Sequence, residues 1–229
     1  MIHLALLLSW CAQNDQAVAD ALTKFKAEYR GPSPTARAAA VTQLCLTPHE
    51  KTFSRLAPLL MAEVKEVRLA AIKGVSSFKD LKKKVTPALL QTLSATSKEP
   101  DVSAAILAAL GKLEDETALP AIAARFRKEH ITVAKAAVLA AGAIGKGDAL
   151  RLLHELSQDI QKWEKAGSGG GYYDDAGVGE AAAQTARITA LKAELIKAFQ
   201  ILSKEEWTTL QEWEVWHRRH KDDPKFRAR

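Results

Sequence analysis

Val67–Asp80 reads VRLAAIKGVSSFKD, Val102–Asp115 reads VSAAILAALGKLED, and Val133–Lys146 reads VAKAAVLAAGAIGK. The three starts lie 35 and 31 residues apart. A period of this size is the mark of stacked helical pairs, each of which buries its apolar face only against a neighbour. Within the first copy, Val67, Ala70, Ala71, Gly74, Val75 and Phe78 recur at helical spacing and form one stripe. Val102, Ala105, Ile106, Ala109, Leu110 and Leu113 repeat that stripe, and so do Val133, Ala136, Ala137, Ala140, Ala141 and Ile144. So much Ala and Gly predicts inner helices that approach one another closely. A fourth, weaker copy begins near Ala36, with Arg37, Ala39, Ala40, Gln43 and Leu44.

The segments between these copies are expected to be outer helices: His49–Val64, Leu81–Ser97, Glu116–Lys128 and Asp148–Lys165. Each has its own apolar residues, for example Leu56, Leu59 and Leu60, or Leu152, Leu156 and Ile160. Three of them contain a proline, namely Pro58, Pro87 and Pro120. A proline lacks a backbone donor, so these mark a recurrent bend or helix start.

The V-R-x-A-A start at Val67 and the A-L-G-K-type endings at Ala109–Lys112 and Ala143–Lys146 resemble HEAT repeats. They look like the bacterial, phycobilisome-lyase-like variety, over residues 34–165. The resemblance implies an all-α fold, an α-solenoid of stacked antiparallel helix pairs. It implies a scaffold that binds a protein partner, and it brings no catalytic residue with it.

The ends are read differently. Ile2–Ala12, IHLALLLSWCA, is a short apolar run followed by polar Gln13-Asn14-Asp15, and is expected to be a signal peptide over residues 1–12. Its n-region has no Lys or Arg. The protein is accordingly expected to be exported, to the periplasm or outside the cell; without the signal it would be cytoplasmic. Cys11 would leave with the signal, and Cys45 is expected to be a buried small hydrophobe. Residues 13–33 form a capping helix on Val18, Ala21, Leu22, Phe25 and Tyr29, stopped by Gly31 and Pro32.

Residues 166–179 form a Gly-rich loop in which Tyr172 and Tyr173 are candidate partner contacts. The loop lacks the G-K-[ST] of a phosphate loop. Residues 180–217 form the C-terminal helices. Ile188, Leu191, Leu195, Phe199 and Leu202 give one stripe, and Ser203 with Glu206 is expected to start a new helix through a capping box. That helix would carry Trp207, Trp213 and Trp216, three of the five tryptophans. Residues 218–229 form a basic tail.

Net charge is +6, and His217–Arg229 holds six Lys or Arg against two Asp. The tryptophans beside Arg218 and Arg219 read either as a cap over the end of the array or as an exposed binding site. The alternative ligand is nucleic acid or another anionic polymer. Against a continuous DNA groove, Arg68 is matched in the next copies by Ser103 and Ala134. A further alternative is an accessory subunit of an enzyme. No cofactor motif, catalytic constellation or metal set is present: His217 and His220 lack a third firm ligand. No apolar run reaches the roughly 18 residues that cross a bilayer.

Overall fold

A computed structural model describes residues 2–62, 64–127, 130–146, 148–167 and 175–220. Tyr172, Tyr173 and most of the basic tail lie outside these. The described residues are all-α. The chain divides into two compact units, Met1–Thr96 and Ser97–Arg229.

In the first unit α1 (Ile2–Glu28), α2 (Pro34–Leu44) and α4 (Lys65–Val75) pack side by side, α2 in the middle. The outer segment between α2 and α4 is α3 (Glu50–Leu56) followed by a 3-10 turn, Ala57–Met61. The last helix of this unit is α5 (Lys82–Ala95). The backbone of α1 is a single helix, so the expected signal segment and capping helix are continuous. Val18 and Phe25 are buried, Phe25 stacks on Tyr29 at 4.9 Å, and Arg55 lies 5.5 Å over the Phe25 ring. The aromatic pair expected at the first edge therefore packs inward.

In the second unit α6 (Pro100–Leu113), α8 (Ile131–Ile144) and α10 (Asp175–Ser203) form the inner row, with α8 between the other two. The outer elements are α7 (Leu119–Ala123) and α9 (Ala149–Gly167). The unit closes with α11 (Leu210–His220). Ion pairs between its elements include Arg127–Asp159 at 2.6 Å, Lys135–Glu194 at 3.1 Å and Lys192–Glu164 at 2.7 Å.

The three sequence copies are the inner helices α4, α6 and α8, but their buried arc differs from the expected stripe. Ala70, Ala105 and Ala136 are only half-buried, while Ile72, Leu107 and Val138 are fully buried. An inner helix packed against a neighbouring inner helix and an outer element must bury a wider arc than one surface stripe.

Small residues set the spacing of the rows. A Cβ on Gly74 would lie 2.0 Å from Cys45 Sγ, one on Gly111 would lie 3.0 Å from Ala140 Cα, and one on Gly142 would lie 2.8 Å from Ala198 Cα. The α2/α4, α6/α8 and α8/α10 contacts thus each hold a glycine against a small side chain. This also corrects the register of the A-L-G-K endings. Gly111 matches Gly142, both at close helix crossings, and not Gly145. Gly145 ends α8 with φ +60°, and its true counterpart is Glu114, which ends α6 with φ +52°. Both occupy the left-handed position that terminates many helices.

Two of the outer segments, those expected at residues 49–64 and 116–128, are shorter and more broken than expected. Pro58 sits in the first turn of the 3-10 stretch, and Pro120 in the first turn of α7. Pro87 lies within α5. The prolines at 58 and 120 act as starts, where the missing N–H removes no helical bond. The Gly-rich segment is also shorter than expected. Helix α9 runs through Gly167 and α10 begins at Asp175, crossing Gly177 and Gly179. A glycine inside a helix is unfavourable by only about 1 kcal/mol, which does not by itself stop one.

Candidate functional site: the C-terminal aromatic cluster

The expected capping box at Ser203 is displaced by six residues. Ser203 is the last residue of α10, and Lys204 follows with φ +62°. The hydroxyl of Ser203 donates to Phe199 O at 2.8 Å and accepts from Glu205 N at 3.2 Å and Trp207 Nε1 at 2.8 Å. It fastens the loop instead of starting a helix. The box that starts α11 is Thr209-x-x-Glu212: Glu212 N donates to Thr209 Oγ1 at 3.2 Å, and Thr209 N donates to Glu212 Oε2 at 3.1 Å. Glu212 also accepts from Thr208 N at 2.9 Å. These bonds, led by the Thr208 backbone N–H, hold its carboxyl below the ordinary value of 4.5.

Trp207 therefore stands on the loop before α11, and Trp213 and Trp216 stand on α11 itself. Phe199 and Trp213 stack at 3.7 Å and 8°, Trp213 and Trp216 at 4.9 Å and 26°, Trp216 and His220 at 4.5 Å and 21°. Trp207 stands across this stack, at 84° to Trp213 and 67° to Trp216. Trp213 is fully buried, and its Nε1–H has no hydrogen-bond partner among the described residues. Burial and stacking of the ring alone hold it there. As an expected partner contact Trp213 is thus corrected: it is core and offers no surface. Trp216 is 8% exposed and Trp207 is half-buried.

A second anchor joins α11 to α9. His154 and His217 stack at 3.9 Å, and Glu214 Oε1 lies 3.6 Å from His154 Nδ1 and 3.3 Å from Ser157 Oγ. Trp213 on α11 is buried against Phe199 of α10. The edge of the cluster remains open as a cleft of about 390 Å³, lined by Glu205, Trp207, Glu212, Val215, Trp216, Arg219 and His220.

The indoles of Trp207 and Trp216, which line this cleft, are both pinned from within. Trp207 Nε1 is bonded to Ser203, and Trp216 Nε1 donates to Glu205 Oε1 at 3.1 Å. Arg218 and Arg219 are exposed; Arg218 Nε donates to Glu214 O at 3.3 Å, and Arg219 reaches the cleft. The sequence reading missed Glu205, Glu212, Val215 and His220. The T-x-x-E pattern at Thr209–Glu212 was the signal that could have placed the helix start.

Elsewhere, Cys45 is a free, buried cysteine, and burial pushes its thiol up to about 12. Among the described residues no group of three or more His, Cys, Asp or Glu could hold a metal ion. No described helix is long and apolar enough to cross a membrane.

The protein is an all-α chain of stacked helix pairs with small residues at the crossings, the α-solenoid class. Residues 86–166 match the family of HEAT repeats. A comparison with curated proteins finds no match.

Proposed function

We propose that this HEAT-repeat protein is a non-enzymatic scaffold that holds a protein partner at the Trp207 cleft. HEAT repeats generally serve as protein-interaction scaffolds, which supports the class of activity. The observation that carries the reading is Trp207. A large aromatic side chain is left half-buried at the mouth of a cleft, with its N–H already bonded to Ser203. Its rotamer is fixed before any partner arrives, so binding there loses little conformational entropy. Pinned aromatics flanked by an arginine are the usual composition of an interface hot spot.

The carboxylates of Glu205 and Glu212 on the rim argue against an anionic polymer in this cleft. Photo-crosslinking from Val215, which is 41% exposed and lines the cleft, tests the proposal. A discrete protein adduct that disappears in Trp207→Ala supports it. Diffuse labelling unchanged by Trp207→Ala overturns it.

The apolar run Ile2–Ala12 supports an exported location for this activity. Sequencing the N-terminus of the protein from its own cell tests that part. A mature chain beginning near Ala12 is expected, and a retained Met1 overturns export.

A further inference from the structure

We infer that the Trp207 cleft takes a single basic side chain, Arg or Lys, presented by the partner protein. The inference rests on the binding-site reading above and adds the chemistry of the occupant. The floor of the cleft is apolar and aromatic: Trp207, Trp216 and Val215. Aromatic rings attract a cation and pack along its methylene stem.

The rim is unevenly charged. Glu212 stands in the first turn of α11 and is held ionised by the Thr208 and Thr209 donors. Glu205 is joined to the cluster by Trp216 Nε1. Arg219 stands in the last turn, about 10 Å from Glu212 along the helix axis. Two carboxylates therefore lie beside the aromatic floor, with one guanidinium at the far end. One cation fits the acidic end, where an acidic side chain would meet two like charges. A run of several cations would meet Arg219, so the occupant carries one basic residue and not a cluster.

The capped tryptophans leave few other polar choices. The Trp207 and Trp216 N–H groups are both used internally, so neither is free to donate to an incoming carbonyl or carboxylate. What remains to attract a cation is ring face and the two carboxylates, with Arg219 and His220 in the last turn of α11.

The test uses two peptides, Ac-Gly-Leu-Arg-Leu-Gly-NH2 and the same peptide with Glu for Arg, titrated calorimetrically into the full chain. The Arg peptide should bind and the Glu peptide should not. Trp207→Ala and Glu205→Gln should each weaken the Arg peptide by about tenfold, the loss of one close cation contact. Arg219→Glu is exposed and should leave the fold intact while tightening the Arg peptide by about threefold, through added attraction across the cleft. A purely structural role for these residues predicts no gain from Arg219→Glu.

Equal or stronger binding of the Glu peptide, or affinity indifferent to Glu205→Gln and Arg219→Glu, overturns the inference. A discrete Val215 adduct in the absence of Arg-peptide binding overturns the basic occupant and leaves the cleft as a binding site. A Val215 adduct to a second copy of this chain overturns the partner assignment. Loss of both the adduct and the peptide overturns the two readings together.

Discussion

Gly142 on α8 lies directly against Ala198 on α10: a Cβ at Gly142 would stand 2.8 Å from both the Cα and the Cβ of Ala198. Real Cβ atoms do not approach so closely, and backbone is what they would meet. The crossing therefore exists only because residue 142 has no side chain. Gly142→Ala gains about 1 kcal/mol of helix propensity. It should still destabilise the second unit by roughly 1–3 kcal/mol, because the inner row must spread to admit the methyl group. Gly111→Ala, with 3.0 Å to Ala140 Cα, should be milder. Urea unfolding midpoints of the two variants give the order. Equal or higher stability in Gly142→Ala contradicts the packing account.

Glu114 and Gly145 end their helices in the same left-handed conformation, at φ +52° and +60°. Glutamate is strained there and glycine is not. Glu114→Gly should stabilise by up to about 1 kcal/mol, and Gly145→Ala should destabilise by a similar amount. The opposite signs at matched positions are read from thermal midpoints.

Cys45 Sγ fills the space left by Gly74, and burial raises its thiol from 9.0 to about 12. The folded thiol stays protonated while the unfolded one ionises near 9.0. Its contribution to stability is thus complete below pH 9.0 and is lost as pH rises toward about 12. The urea midpoint should fall as pH rises from 9.0 toward about 12, and fall less in Cys45→Ala. Alkylation of Cys45 should follow unfolding, with no fast phase in the native protein.

Thr209 and Glu212 cap α11 reciprocally, so the start of the cleft-bearing helix depends on an ionised carboxylate. Because the folded carboxyl sits below 4.5, its support is present above that value and is lost as pH falls through the folded one. Tryptophan emission should shift in acid in the native chain, and the shift should be smaller in Glu212→Gln. Thr209→Ala should cost about 1 kcal/mol at neutral pH. An acid response identical in Glu212→Gln would place the titration elsewhere.

Much of the frame was legible because Val67, Val102 and Val133 begin copies whose apolar periodicity survives tertiary packing. What the pattern could not supply was the width of the buried arc. Ile72, Leu107 and Val138 are buried by helices that arrive from elsewhere in the chain, and a single-helix stripe carries no record of them. The glycine register failed for a related reason. Gly111 and Gly145 share the letters of one motif, yet one fits a crossing and the other ends a helix, and only backbone position separates these roles. At the candidate site, Trp207, Leu210, Trp213 and Trp216, each three apart, suggested one helix. The hydroxyl of Ser203 binds the Trp207 indole instead, which keeps Trp207 in the loop and separates it from the buried Trp213. Composition identified the cluster, but burial decided which ring is free.

The most direct test of the account is crosslinking carried out in parallel from two exposed apolar positions, Val215 at the cleft and Leu46 after α2, which are 41% and 72% exposed. Each receives a photo-reactive side chain, and each is compared with and without Trp207→Ala. The account predicts a discrete adduct from Val215 that Trp207→Ala abolishes, and none from Leu46. A discrete adduct from Leu46 with none from Val215 would place the partner surface elsewhere and contradict it.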